Sequence, residues 1–207
     1  MRVIAGMAKG HRLKSLPGSD PRPTSDLVRG ALFNVLREYV VDRAWLDLFA
    51  GTGAVGIEAL SRGASQAVMA EDDPRCQRLI QANLELTGLA ASGMVFRGRV
   101  EHALPWLARQ GRRFDVIFLD PPYDHGLVQD TLERLADQPA LLAPGGIIVI
   151  QHSQNEAVGR LPPGLLEAGE GRYGSTSLTY LRRVGKEEGS ASPGLASSDD
   201  PTGQEKR

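Results

Sequence analysis

At 207 residues the chain has room for one domain with a sizeable core and an extension, and its 41% hydrophobic and 24% charged residues are ordinary for a globular protein. A net charge of −1 conceals an uneven distribution: Met1 to Arg43 carries eight Lys or Arg against four Asp or Glu, whereas Gly185 to Arg207 carries three against five. One cysteine, Cys76, excludes an intramolecular disulfide and a Cys-rich zinc site, the four histidines are dispersed, and no apolar run approaches the ~20 residues that cross a bilayer, so a cytoplasmic protein without metal or membrane partner is expected.

Arg2-Val3-Ile4-Ala5-Gly6 and His11-Arg12-Leu13-Lys14 read as two extended pieces around Ala8-Lys9-Gly10. Lys9, His11, Arg12 and Lys14 on this hairpin suit phosphate neutralisation, and a solvated face is the competing reading. Pro17 to Pro23 is a loop. Thr24, Ser25 and Asp26 then cap a helix whose stripe is Val28, Ala31, Leu32, Val35, Leu36 and Tyr39, with Gly30 inside it costing ~1 kcal/mol relative to Ala. Residues 1–43 thus form a basic extension to a main domain over 44–184.

Trp45 to Ala50 is a strand running into Gly51-Thr52-Gly53-Ala54-Val55-Gly56, and Ile57 to Arg62 continues as helix. Strand, glycine loop and helix make a nucleotide-site arrangement, because glycines let the backbone approach a ligand and the helix N-terminus offers N–H groups. Ser65 to Ala70 is a second strand ending in Glu71, 20 positions after Gly51, where a ribose-binding acid is expected. Asp73-Pro74 opens a helix that carries Leu79, Ile80, Asn83, Leu84 and Leu86 to Gly88. Met94 to Arg97 is a third strand, followed by Gly98-Arg99-Val100 and a helix through Leu107. Phe114 to Leu119 is a fourth strand, Leu127 to Leu135 a helix, and Gly146 to Ile150 a fifth strand with the continuous apolar pattern of burial on both faces. Leu165 to Tyr173 and Ser177 to Val184, joined at Gly174-Ser175-Thr176, read as a closing antiparallel hairpin, and residues 185–207 as disordered. Strands and helices alternate, so an α/β sheet covered on both sides follows.

The fourth strand stops at Asp120-Pro121-Pro122-Tyr123. Neither proline can donate to a ladder, and the bland reading is a strand break. The stiff turn also holds a carboxylate, backbone carbonyls and a flat ring in a fixed arrangement, which suits a planar amine whose N–H groups need acceptors. Ligands of open α/β sheets bind beyond the carboxyl ends of the strands, where Asp47 to Gly53, Glu71 and Asp120 to Tyr123 all fall. Hydride transfer with NAD would use the glycine loop and leave the Asp-Pro-Pro-Tyr turn idle. Methyl transfer gives every part a task, since alignment of nucleophile and methyl contributes up to ~7 to 11 kcal/mol. Asp120 and the Pro121 carbonyl, binding the two amine hydrogens, would raise electron density on a nitrogen otherwise delocalised into its ring.

Taken with Arg2 to Gly6, Arg22-Pro23-Thr24-Ser25-Asp26-Leu27-Val28-Arg29, Ala31-Leu32-Phe33-Asn34, Asp47 to Gly53 and Glu58-Ala59-Leu60-Ser61-Arg62-Gly63, these motifs resemble the RsmD family, bacterial 16S ribosomal RNA guanine-N2 methyltransferases that use S-adenosylmethionine. The resemblance covers Arg2 to about Val184. It implies a Rossmann-like class I S-adenosylmethionine-dependent methyltransferase with a mostly parallel seven-stranded sheet and a C-terminal antiparallel hairpin. It further implies that Asp47, Phe49, Gly51, Gly53, Val100 and Thr24 line the cofactor site, that Glu71 holds the ribose, and that Asp120, Pro121, Pro122 and Tyr123 receive a flipped guanine. Arg22 and Arg29 join Lys9, His11, Arg12 and Lys14 as RNA contacts, the partner is 16S rRNA in the 30S subunit, and a monomer is expected.

Two positions depart from the family pattern. Gly30 stands where a Glu is usual, and Arg99 where an Asp or Asn often meets the adenine amine; an arginine cannot accept that hydrogen bond, which leaves the Val100 N–H, Glu101 or packing. A DNA adenine-N6 or cytosine-N4 methyltransferase and a non-catalytic RNA-binding assembly factor are the alternatives.

Overall fold

The computed structural model describes residues 1–16, 25–122 and 126–184. The expected contacts Arg22, Thr24 and Tyr123, the loop at Pro17 to Pro23 and the tail lie outside the described residues. Seven strands, β1 (Ala44–Leu48), β2 (Gln66–Glu71), β3 (Gly93–Arg97), β4 (Phe114–Leu119), β5 (Leu142–Ser153), β6 (Leu165–Tyr173) and β7 (Thr176–Arg183), form one sheet in the order β3-β2-β1-β4-β5-β7-β6. The first five pair in parallel, and β7 and β6 close the sheet antiparallel. The chain winds outward from β1 in one direction and from β4 in the other, so the crevice between those strands is the topological switch point.

Alternation along each strand sorts the core into two layers. Trp45, Met69, Phe118 and Val149 face α1 (Asp26–Val35), α2 (Ala54–Ser61) and α3 (Pro74–Leu86), packing with Leu32, Ile57 and Ile80. Leu46, Val68, Ile117 and Ile148 face α4 (Val100–Arg109) and α5 (Leu127–Asp137), packing with Leu104 and Leu132. Continuing the first parity by two residues brings Asp47, Glu71, Asp120 and Gln151 to one face at the carboxyl ends of β1, β2, β4 and β5.

The N-terminal segment folds back antiparallel as the expected hairpin does, with Leu13 N–H also donating to Met1 O at 3.2 Å, but the pairing is short. Its only ladder pairing is one bridge, Arg2 with Arg12, supported by Val3 N–H to His11 O at 3.0 Å and Gly10 N–H to Val3 O at 2.9 Å. Pairing is scarce because the segment's donors turn to α2 instead. Ile4 and Ala5 N–H donate to the Glu58 carboxylate at 2.7 and 3.0 Å, Met7 N–H to the Ser61 carbonyl at 2.7 Å, and Ala8 N–H to the Ser61 hydroxyl at 3.0 Å. Gly6 has φ +83°, and a Cβ there would overlap the Ser61 carbonyl, so only glycine permits this approach.

Arg29 needs a correction. Its side chain is 0% exposed, donates to Arg2 O at 2.6 Å and to Asp26 at 2.8 Å, and lies 3.7 Å from Glu58. A guanidinium enclosed in this way offers nothing to a phosphate, and its work is to join α1, the N-terminal segment and α2. Gly30 beside it would bring an added Cβ within 4 Å of nothing, so the position has room for a larger side chain.

Glu58, 1% exposed, is therefore the hub of the extension, accepting from two backbone amides and from Arg62 Nε at 2.7 Å. Replacing it by alanine strands a buried guanidinium and two amides, and Glu58→Ala is expected to lower unfolding free energy by about 3 to 5 kcal/mol in chemical denaturation. A loss below about 1 kcal/mol would show that the extension docks through apolar contacts alone.

Candidate active site at the switch point

The strand-to-helix reversal after β1 is built from left-handed residues: Phe49 at φ +64°, Gly51 at +55° and Gly53 at +78°. Phe49 is the costly member, because a side-chain-bearing residue rarely occupies that region, and the strain sits beside the glycines that a ligand would approach. Gly56, the third glycine, lies where a Cβ would press on the Met69 side chain and approach Asp47, so its role is close packing of α2 on β2.

Asp47 is 1% exposed and accepts from Gly56 N–H at 2.9 Å. Burial pushes its pKa up to about 8, and the nearby Asp120 and Glu71 carboxylates push in the same direction. Glu71 bridges two loops, accepting from Gly51 N–H at 2.7 Å and from Asp73 N–H at 2.9 Å, and burial raises its pKa as well. Carboxylate oxygens have further lone pairs, so both bonds leave capacity for ribose hydroxyls. Asp120 is half-buried, its N–H facing Leu48 O at 3.4 Å, while Pro121 is buried and Pro122 exposed. Three acids thus meet at the ends of β1, β2 and β4. Among the described residues no group of three or more His, Cys, Asp and Glu is arranged to hold a metal ion.

The remaining expected contacts fall into two places. Val100 opens α4 with its side chain buried, next to Arg99, which makes no side-chain cap and instead pairs with Glu101 at 3.3 Å. First-turn N–H groups lack intrahelical acceptors, so α4 presents its Val100 amide at the end of β3. Lys9, His11, Arg12 and Lys14 are exposed on the N-terminal segment. A link to the glycine loop exists that sequence reasoning missed: the wholly buried Asn83 accepts from Lys14 N–H at 2.7 Å and donates to Lys14 O at 3.1 Å and Thr52 O at 3.0 Å. Gln151, also missed, donates its Nε2 to Asp120 at 3.0 Å. Each is a polar residue at an apolar-stripe position, which was the available signal.

Residues 1–182 match the family model described as Conserved hypothetical protein 95, and Ribosomal RNA small subunit methyltransferase D of Escherichia coli (strain K12) is 35% identical over 162 residues, 78% of this chain and 79% of its own length. The chain belongs to the RsmD family. Its fold matches that of the solved Escherichia coli protein yhhF, with 32% identity and a TM-score of 0.77 over 88% of this chain and 97% of that one. SMU.776, solved in complex with SAH, shares the fold alone, at 15% identity and a TM-score of 0.62 over 76% of this chain and 48% of that one. The RsmD-family chain is thus a Rossmann-like class I methyltransferase fold with a mostly parallel seven-stranded sheet. No helix among its described residues is long and apolar enough to cross a membrane.

The raised pKa of Asp47 has a defined consequence for stability. Between about pH 4, where an ordinary Asp ionises, and about pH 8 the folded state holds a proton that the unfolded chain has released. Stability contributed by this residue is therefore full at low pH and lost as pH rises through that window. Asp47→Asn, which can still accept from Gly56, is expected to raise the thermal midpoint of the ligand-free protein at pH 8 and to change it little at pH 4. Thermal denaturation across this range checks it, and a parallel pH profile for the two proteins would contradict it.

Proposed function

We propose that the protein transfers a methyl group from S-adenosylmethionine to the exocyclic N2 amine of a guanine in 16S ribosomal RNA within the assembling or assembled 30S subunit, acting as a monomer. S-adenosylmethionine-dependent rRNA methylation is what membership of the RsmD family supports. The observation that carries the finer reading is the Asp120-Pro121-Pro122 turn placed across the switch point from the Gly51 to Gly53 loop, with three carboxylates converging on the space between.

The residues present fit the cofactor. Glu71 would hold the ribose hydroxyls, the glycine loop would let the backbone approach the nucleoside, the Val100 amide would serve the adenine edge that Arg99 cannot, and Asp120 would favour the positive charge of sulfonium and ammonium. When bound, S-adenosylmethionine supplies the methyl and departs as a neutral thioether. Thr24 and Tyr123 are proposed to cover the cofactor and stack on the base. The Pro121 carbonyl and the Asp120 carboxylate accept from the two amine hydrogens, which orients the nitrogen lone pair and stabilises the charge that develops as the bond to carbon forms. One proton then leaves nitrogen, to Asp120 or to water.

Lys9, His11, Arg12 and Lys14 are proposed to meet RNA phosphates from a segment that Glu58 and Asn83 hold at Ile4 and Lys14, and Arg22 is proposed to join them. A ribosomal acceptor is favoured over a DNA amine because relatives that match over most of the chain are named as ribosomal RNA methyltransferases.

The test is methyl transfer from labelled S-adenosylmethionine to 30S particles lacking the modification, with naked 16S rRNA and duplex DNA in parallel. One guanine N2 in 16S rRNA is expected to be labelled. Asp120→Ala is expected to slow transfer about 100-fold with cofactor binding retained. Labelling of duplex DNA at adenine or cytosine, or cofactor binding without transfer to any RNA, would overturn the assignment.

A further inference from the structure

Gln151 closes the apolar run Ile147-Ile148-Val149-Ile150 of β5, and its side chain faces the same layer as Ile147 and Val149. At 4% exposure it stands among fully buried aliphatic residues, where an amide is the unfavourable choice. Its Nε2 donates to Asp120 Oδ1 at 3.0 Å. Its Oε1 is buried and has no hydrogen-bond partner among the described residues. The opposite amide orientation would set Oε1 against the carboxylate, so the geometry fixes the donor end on Asp120. A leucine here would avoid the orphaned acceptor, and a fold that only needed filling would gain from it.

We propose that Gln151 is a positioning residue for methyl transfer, holding the Asp120 carboxylate in the rotamer that accepts from the amine. This rests on the reading of Asp120 given above. β4 and β5 are paired from Val116 with Ile147 to Leu119 with Ile150, so the next pair in register is Asp120 beside Gln151. The amide is thereby carried by a rigid central strand, while the carboxylate it holds begins a turn that has left the ladder. Gln151 touches neither the methyl nor the base. It acts through Asp120, whose carboxylate it holds at the end of the strand.

Such a residue sets stability against rate. Gln151→Leu removes the unpaired acceptor, so its thermal midpoint is expected to equal or exceed that of the unmodified protein, while single-turnover methyl transfer to unmodified 30S particles slows about 10- to 100-fold. The dissociation constant for S-adenosylhomocysteine is expected to stay within about twofold, because Asp120 and not the cofactor loop is released. The deciding comparison places Gln151→Leu in an Asp120→Ala background, where Gln151 has no acceptor left to hold, with enzyme in excess so that slow transfer is measurable. If Gln151 works through the carboxylate, the substitution has no further effect on rate there. An equal loss in both backgrounds, or a rate loss that tracks a fall in thermal midpoint, overturns the inference and leaves the proposed function standing. Absence of transfer by the unsubstituted protein, with cofactor bound, overturns the function and the inference together.

Discussion

One constraint shapes the molecule: three carboxyl groups, Asp47, Glu71 and Asp120, are brought to the same face and the same end of the parallel strands, close enough for the latter two to raise the cost of ionising the buried Asp47. Mutual repulsion in a partly dry crevice is unfavourable for the free protein and favourable for a cation that enters it. Backbone donors supplied by Gly51, Gly56 and Asp73 make the arrangement tolerable without neutralising it. The glycines, the left-handed Phe49 and the proline turn lie together at this end of the sheet, where the ligand is proposed to bind.

The N-terminal extension is fixed to this device. Glu58 and Ser61 on α2 hold residues 4–8, Arg29 ties α1 to the same point, and Asn83 on α3 fastens Lys14 to the glycine loop. A basic segment held by buried side-chain bonds presents its charges with little ordering entropy left to lose on binding, which favours affinity for a rigid polyanion. Because α2 opens at the glycine loop, displacement of the extension would be felt where the methyl donor is proposed to lie.

Much of the framework was legible from local pattern. Alternating apolar strands and helices gave the five parallel strands, the β6–β7 hairpin appeared at Gly174, and Asp73-Pro74 marked the start of α3. Strand ends shifted modestly: β1 stops at Leu48 because Phe49 has already turned left-handed, and β5 begins at Leu142, which pairs with Phe114 of β4, and runs to Ser153 because pairing with β7 extends it beyond its apolar run. The polar bonds that organise the interior were not legible. Glu58 meets Ile4 across 54 positions, Asn83 meets Lys14 across 69, and Gln151 meets Asp120 across 31. Arg29 read as a phosphate contact because its charge is visible in sequence and its burial is not. Partners so distant leave no periodicity, only a polar letter in an apolar stripe.

The most direct measurement of the central claim is a structure of the protein with S-adenosylhomocysteine. The account predicts the ribose hydroxyls on Glu71, the adenine edge at the Val100 amide and the sulfur in the gap between the Gly51 to Gly53 loop and Pro121. A nucleoside seated away from Glu71, or a sulfur remote from the Asp120 turn, would contradict it.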